Sequence, residues 1–280
     1  MWNTTDPEES FRNKVIWWSA VIVGAALIGV GAYYRFRSPQ PAPAEPVQAP
    51  AQPQQGAAPI PATPPPPAIE HPIPASGGQA VSAALPPLDG SDPTVIDALT
   101  KLMGQPAVSR LLVPKAIIRH VVVTVDNLPR AKAAANLRPV QPTPGQTIVN
   151  QQGGTTFLGQ RNYARYTPFV DAVQAMSMKS LAALYFRLYP LFQQAYQSLG
   201  YPNQYFNDRL VAAIDSMLAT PQVQGPVPLA QGKVFWQFAN PQLEALPAGQ
   251  KLLLRMGPQN AAIVESQLRK LRKLIVNPPN

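Results

Sequence analysis

SMKSLAALYFRLYPLFQQAYQSLGYPNQYFNDRLVAAIDSML, residues 177–218, decides the fold class. Leu181, Leu184, Tyr185, Leu188, Leu191, Phe192, Ala195, Tyr196 and Leu199 recur at three- and four-residue spacing, which marks a helix with one broad apolar face. Ser177 stands where an N-cap acceptor belongs, and Gly200 with Pro202 ends the run. Pro190 falls in the middle, where a missing amide and a ring clash predict a kink or a split. A second helix is expected from Asn203 or Gln204 to Leu218, with Phe206, Leu210, Val211, Ile214 and Leu218 inward.

Outward from this pair the pattern stays helical. Asp92-Pro93 reads as an N-cap followed by proline at the first helical position, and Gly104 stops the run. Pro106 to Val113 is a short piece. KAIIRHVVVTVDNL after Pro114 carries the β-branched run Val121-Val122-Val123, compatible with a strand but expected as helix. Helices are also expected over Pro168–Met176, Pro247–Met256 and Pro258–Ile275. Thr147-Ile148-Val149 and Thr155-Thr156-Phe157-Leu158, around Gly153-Gly154, predict one β-hairpin with a loop longer than the tightest turns. Val227–Leu229 is a candidate extended piece, and Val234–Phe238 has no period that assigns it. The fold class is therefore mainly α, a membrane-anchored helical domain with one small β-hairpin insertion.

Composition divides the 280 residues. Val15 to Tyr34 is 20 residues without a charge, about 30 Å as a helix, which matches a bilayer's hydrocarbon core. Trp17, Trp18, Tyr33 and Tyr34 sit at its ends, where amphipathic rings prefer the headgroup level. Sixteen of the 35 prolines lie between Pro39 and Pro87, including the run Pro64–Pro67. Such a stretch has too little to bury to fold, and it favours polyproline II, with a reach of roughly 150 Å for about 50 residues. The expected organisation is a cytoplasmic tail 1–14, a transmembrane helix 15–34, a proline-rich spacer 35–88, a distal helical domain 89–276 and a tail 277–280. An extended spacer suits a periplasmic domain, so the expected location is the bacterial inner membrane, single-pass, N-terminus inside.

The absence of cysteine excludes disulfides, thiolate metal sites and cysteine nucleophiles. Two histidines, His71 and His120, leave little for a histidine metal site, and no nucleotide-binding glycine pattern occurs, so no cofactor is expected. Over 89–276, 19 Lys and Arg face 9 Asp and Glu. That excess predicts contact with an anionic envelope surface, led by Arg269, Lys270, Arg272 and Lys273, with a solvated face as the plainer alternative. Nucleic acid fits poorly, because no aromatic residues interleave with the basic run.

PLDGSDPTVIDAL from Pro87, TVDNLPRAK at 124–132, LRPVQPTPG at 137–145 and NYARYTPFVDAV at 162–173 are distinctive. So are LYPLFQQAYQSLGYPNQYFNDRLVAAIDSMLATP at 188–221 and GQKLLLRMGPQNAAIVESQLRKLR at 249–272. Together they resemble the bacterial domain of unknown function 3014 family. The resemblance implies an envelope protein anchored in a membrane through a proline-rich spacer. It brings no activity, cofactor or catalytic residue.

Candidate contacts come from polar clusters. Asp126-Asn127-Leu128-Pro129-Arg130 reads as a helix cap and turn, with ligand contact by Asp126 or Arg130 as the sharper alternative. Asn162, Arg165 and Tyr166 share a face if helical; the plainer expectation is an Asn cap with Arg165 snorkelling. Asn207-Asp208-Arg209 interrupts an apolar helix beside Tyr201, Tyr205 and Phe206, which suits either an Asp–Arg pair or a binding site. His120 is expected to be a satisfied structural histidine. A scaffold or interaction module is the leading expectation. Its alternative is a membrane-anchored enzyme on an envelope polymer, which would bring Asp208, Asp215 and Arg165 into one cleft.

Overall fold

Asp92-Pro93 opens the first helix, α1 (Asp92–Met103), which Gly104 ends in a backbone conformation at φ 84°. α2 (Gln105–Leu111) and α3 (Ile117–Asn127) follow. The structure, a computed structural model, describes residues 68–73, 85–134, 136–233 and 235–278, all within one compact unit spanning 63–280. The β-branched run is helical, as expected, because Ile118, Val122 and Val125 then fall on one buried face.

Asp92 does not cap its own helix. Ser91 holds that position, and the Asp92 carboxylate instead accepts from Ala116 N and Ile117 N at 2.7 and 2.9 Å. These are unpaired amides at the start of α3, so one carboxylate caps a helix 24 residues downstream. Ala116 has φ 49°, left-handed and strained for a residue with a Cβ, and the two bonds hold it there.

β1 (Val149–Gln152) and β2 (Thr155–Leu158) form the hairpin, tighter than the sequence suggested. Its turn is the two residues Gly153 and Gly154, at φ 57° and 77°, the left-handed geometry a two-residue hairpin needs. Polar Asn150, Gln151 and Gln152 extend β1 because that strand lies exposed at the sheet edge. α4 (Gln160–Ala164), α5 (Thr167–Ala175), α6 (Met178–Ser198) and α7 (Phe206–Leu218) come next, before β3 (Pro228–Gln231) and β4 (Trp236–Phe238). The four strands make one antiparallel sheet in the order β1-β2-β3-β4, so the expectation of a lone hairpin is corrected. β3 and β4 are four and three residues long, too short for alternation to reveal them. Leu158, Val227, Leu229 and Phe238 bury the sheet against Leu254.

α8 (Pro241–Glu244), α9 (Ala248–Met256) and α10 (Pro258–Val276) complete the fold. Gly257 joins the last two at φ 83°, and a Cβ there would run into the Tyr163 ring. α6 is one run through Pro190 rather than two pieces. Tyr185, Leu188 and Tyr189 before the proline and Leu191, Phe192, Ala195 and Tyr196 after it bury in the same core. That shared burial offsets the roughly 3 kcal/mol a mid-helix proline costs. Ser177 caps α6 by accepting from Ser180 N at 3.2 Å. α10 packs across α5, α6, α7 and α9, while α3 lies on α6 and α7.

No helix among the described residues is long and apolar enough to cross a membrane, and the expected span at 15–34 lies outside them. Two described pieces of the expected 35–88 spacer make contacts with the helical unit. Residues 68–73 lie against the helical unit, and Leu85 and Leu88 pack on its core.

Replacing Asp92 with alanine removes the cap of α3 and should lower stability by about 1–2 kcal/mol. Urea denaturation of the purified protein would show this as a lower midpoint at unchanged slope; equal midpoints would contradict it.

Candidate functional site

The first turn of α7 carries Phe206, Asn207, Asp208 and Arg209, and each points to a different duty. Phe206 stacks on Phe192 at 5.7 Å and is buried, which seats α7 on α6. Its N–H donates to Gln193 Oε1 at 2.8 Å, and Gln193 Nε2 donates to Gln204 O, so one α6 side chain shapes the turn into α7. The helix consequently begins at Phe206, two or three residues later than its sequence suggests.

Asn207 has no exposed surface. Its Oδ1 accepts from the Tyr185 hydroxyl at 2.9 Å, and its Nδ2 donates to His71 O at 2.9 Å. Asp208 accepts from Glu70 N at 3.2 Å and His71 N at 2.7 Å. The Tyr205 hydroxyl accepts from Ile73 N at 2.9 Å. Across residues 70–73, every main-chain N–H that exists is held by a side chain, since Pro72 has none. Three side chains therefore clamp the strap, which bends at Glu70 and His71, through its backbone. Burial pushes the Tyr185 phenol well above its usual range, so it remains a neutral donor.

The other side of the same turn is an ion-pair centre. Asp126, at the end of α3, is 5% exposed and accepts from Arg209 Nε at 3.0 Å and Arg130 Nη2 at 2.9 Å. Arg209 also donates from Nη2 to the Asp126 carbonyl, and Arg130 donates to the Tyr201 hydroxyl at 2.6 Å. The hydrogen bond and charge of Asp126 raise the Arg130 pKa further, so that guanidinium never titrates. Tyr201 stacks on Tyr196 at 4.7 Å, which places its hydroxyl over the pair. The expectation of a local cap at Asp126 is corrected: its carboxylate is spent on arginines from two places in the chain. The expected pairing of Asp208 with a buried arginine is corrected too: Asp208 accepts from the strap, and Arg209 pairs with Asp126.

An open cleft of about 610 Å³ runs beside the strap, lined by Ile69 and Glu70 on one wall and by Gln197, Asn203, Asp208 and Arg209 on the other. It gathers Tyr205, Asp208 and Arg209 from among the expected contacts. Arg165 is elsewhere: it donates to Asn162 Oδ1 at 2.8 Å and Gly145 O at 2.7 Å, locking the 143–145 loop rather than snorkelling. Tyr166 packs into a core with Val170, Met217 and Leu253. Asp215 pairs with Arg272 at 2.9 Å, and Arg269 with Glu265 at 2.9 Å. Lys270 and Lys273 are exposed, with no carboxylate within 4.0 Å among the described residues. Asp208, Asp215 and Arg165 thus serve three separate partner sets. The His120 Nδ1 atom is buried with no partner among the described residues, which corrects the expectation of a satisfied histidine. No group of three or more His, Asp or Glu that suits a metal occurs among the described residues.

Sequence reasoning missed Asn207 as the pivot, and its signal was there. Leu210, Val211 and Ile214 lie three, four and seven positions on, so Asn207 had to face the core. The strap carried no signal, because its main chain is what is bound.

Replacing Asp126 with alanine leaves Arg209 (24% exposed) facing a buried void, and should cost about 3 kcal/mol in urea denaturation. Replacing Arg130 (49% exposed) should cost about 1 kcal/mol or less. Equal losses would show that the pair is not organised around Arg209.

The family described as protein of unknown function (DUF3014) matches residues 117–272, from the start of α3 almost to the end of α10. The matched span contains the ion-pair centre and all three clamp residues; the strap lies before it. No curated protein and no solved structure matches the chain. With more than half of its length matched, the chain belongs to the DUF3014 family of proteins of unknown function.

Proposed function

We propose that this protein is a membrane-tethered periplasmic interaction module, anchored in the inner membrane by residues 15–34 and held off it by the proline-rich segment. The observation that carries the proposal is the clamp. Tyr205, Asn207 and Asp208 grip the main chain of residues 70–73 and make no hydrogen bond to its side chains. Peptide recognition through backbone groups is a binding chemistry, and the phenols beside it, raised by burial, do not supply a proton near neutral pH. An enzyme acting on an envelope polymer would draw on Asp208, Asp215 and Arg165 together, and each of these is engaged with a different partner.

Anionic envelope surface is the second partner in this proposal. Lys270 and Lys273 provide the free charge for it on α10, while Arg269 and Arg272 share theirs with Glu265 and Asp215. Each exposed lysine close to an anionic surface adds about 1 kcal/mol.

A full-length variant with residues 69–73 replaced by Gly and Ser should bind a fluorescent peptide of residues 66–75, PPAIEHPIPA, saturably. Asp208→Ala in that background should weaken binding at least tenfold in anisotropy. Absence of saturable binding sinks the module reading. Topology reporters placed after Asn13 and after Gly90 should be active in the cytoplasm and the periplasm respectively; a cytoplasm-active reporter after Gly90 overturns the location.

A further inference from the structure

The strap and its clamp belong to one chain, yet nothing in the contact is specific to that connection. The four hydrogen bonds go to main-chain N–H and C=O groups of Glu70, His71 and Ile73, and an identical segment from another molecule offers the same groups. Eleven residues, 74–84, join Ile73 to Leu85. Their contour length is on the order of 35 Å. We infer that the clamp takes the strap of a second copy of this chain, so that two molecules exchange residues 68–73 and pair. The inference rests on the reading of the clamp as a peptide-binding module.

Exchange of an identical element makes the same bonds in the pair as in the monomer, so it needs no new interface. What differs is concentration. A strap tied by a short link sees its own clamp at a local concentration on the order of millimolar, so dilute protein closes on itself. Copies crowded on a common surface approach that concentration, and exchange then competes. The geometry also says which surface is free to take part. Ile69 is 54% exposed, and the cleft of about 610 Å³ beside the strap leaves one wall of the site open to an incoming chain. The strap's two isoleucines play different parts: Ile73 packs on the core, and Ile69 stands over the cleft.

The test uses two full-length chains, neither able to close on itself. One carries an intact strap with Glu70→Cys and a disabled clamp, Tyr205→Phe with Asp208→Ala. The other carries an intact clamp with Ala212→Cys and residues 69–73 replaced by Gly and Ser. Glu70 and Ala212 both line the cleft, the Glu70 side chain makes no hydrogen bond in the clamp, and the natural chain has no cysteine to confuse the result. Under mild oxidation the mixture should give a disulfide-linked heterodimer at least tenfold above either chain alone. It should also exceed, by the same margin, a mixture in which the second chain carries Asp208→Ala. Circular dichroism melts establish that each variant is folded, and Asp208→Asn replaces Asp208→Ala where it is not. If the PPAIEHPIPA peptide binds the strap-less chain but the two chains do not crosslink above these controls, exchange is overturned and the module reading stands. If neither occurs, both fall.

Discussion

A carboxylate buried at the end of α3 has to be paired, and the way Asp126 is paired orients much of the helical unit. An ionised group at 5% exposure is unaffordable without compensating charge and hydrogen bonds. Arg209 supplies both from α7, through Nε to the carboxylate and Nη2 to the carbonyl of the same residue. That bidentate grip fixes the rotation of α7 about its own axis. Neighbouring residues on a helix project about 100° apart, so turning Arg209 toward α3 turns Asp208 toward the strap and Asn207 into the core. One ion pair therefore sets the aim of the clamp.

The α6–α7 pair was legible in the sequence because its apolar residues recur with the helical period, and so were most other helices. Three things were not. β3 and β4 are too short to show a period: β3 takes its identity from β2, more than 70 residues earlier in the chain, and β4 from its pairing with β3. Asp92 carries the signature of a local cap, and the competition that α3 wins is decided by where the chain brings Ala116 and Ile117. Pro190 carries the signature of a break, and burial on both sides of it prevails. Each miss is a local signal overridden by a contact distant in sequence.

At the site the division is similar. Asp126, Arg130, Tyr205, Asp208 and Arg209 stand out as polar groups beside apolar helices, and all five form bonds within or next to the clamp. Their pairing was not legible. Asp208 and Arg209 are adjacent and of opposite charge, but adjacent residues on a helix diverge, and each finds its partner elsewhere. The basic excess on α10 shows the same effect, since Arg272 neutralises Asp215 57 residues away, leaving less free charge than composition suggests.

A main-chain clamp is well matched to a proline-rich segment. Proline has no N–H to leave unsatisfied, and it holds its neighbours extended, so less entropy is lost when the strap docks. Pro72 sits at the one position in 70–73 where the clamp offers no acceptor. Docking also changes the geometry of the proposed spacer. With residues 68–73 held, the proposed spacer from Pro39 to Pro67 would count 29 residues, about 90 Å at ~3.1 Å each if polyproline II, against roughly 150 Å were the count to run on to Leu88. Occupancy of the clamp by its own strap and the length of the proposed spacer would thus be two expressions of the same four hydrogen bonds.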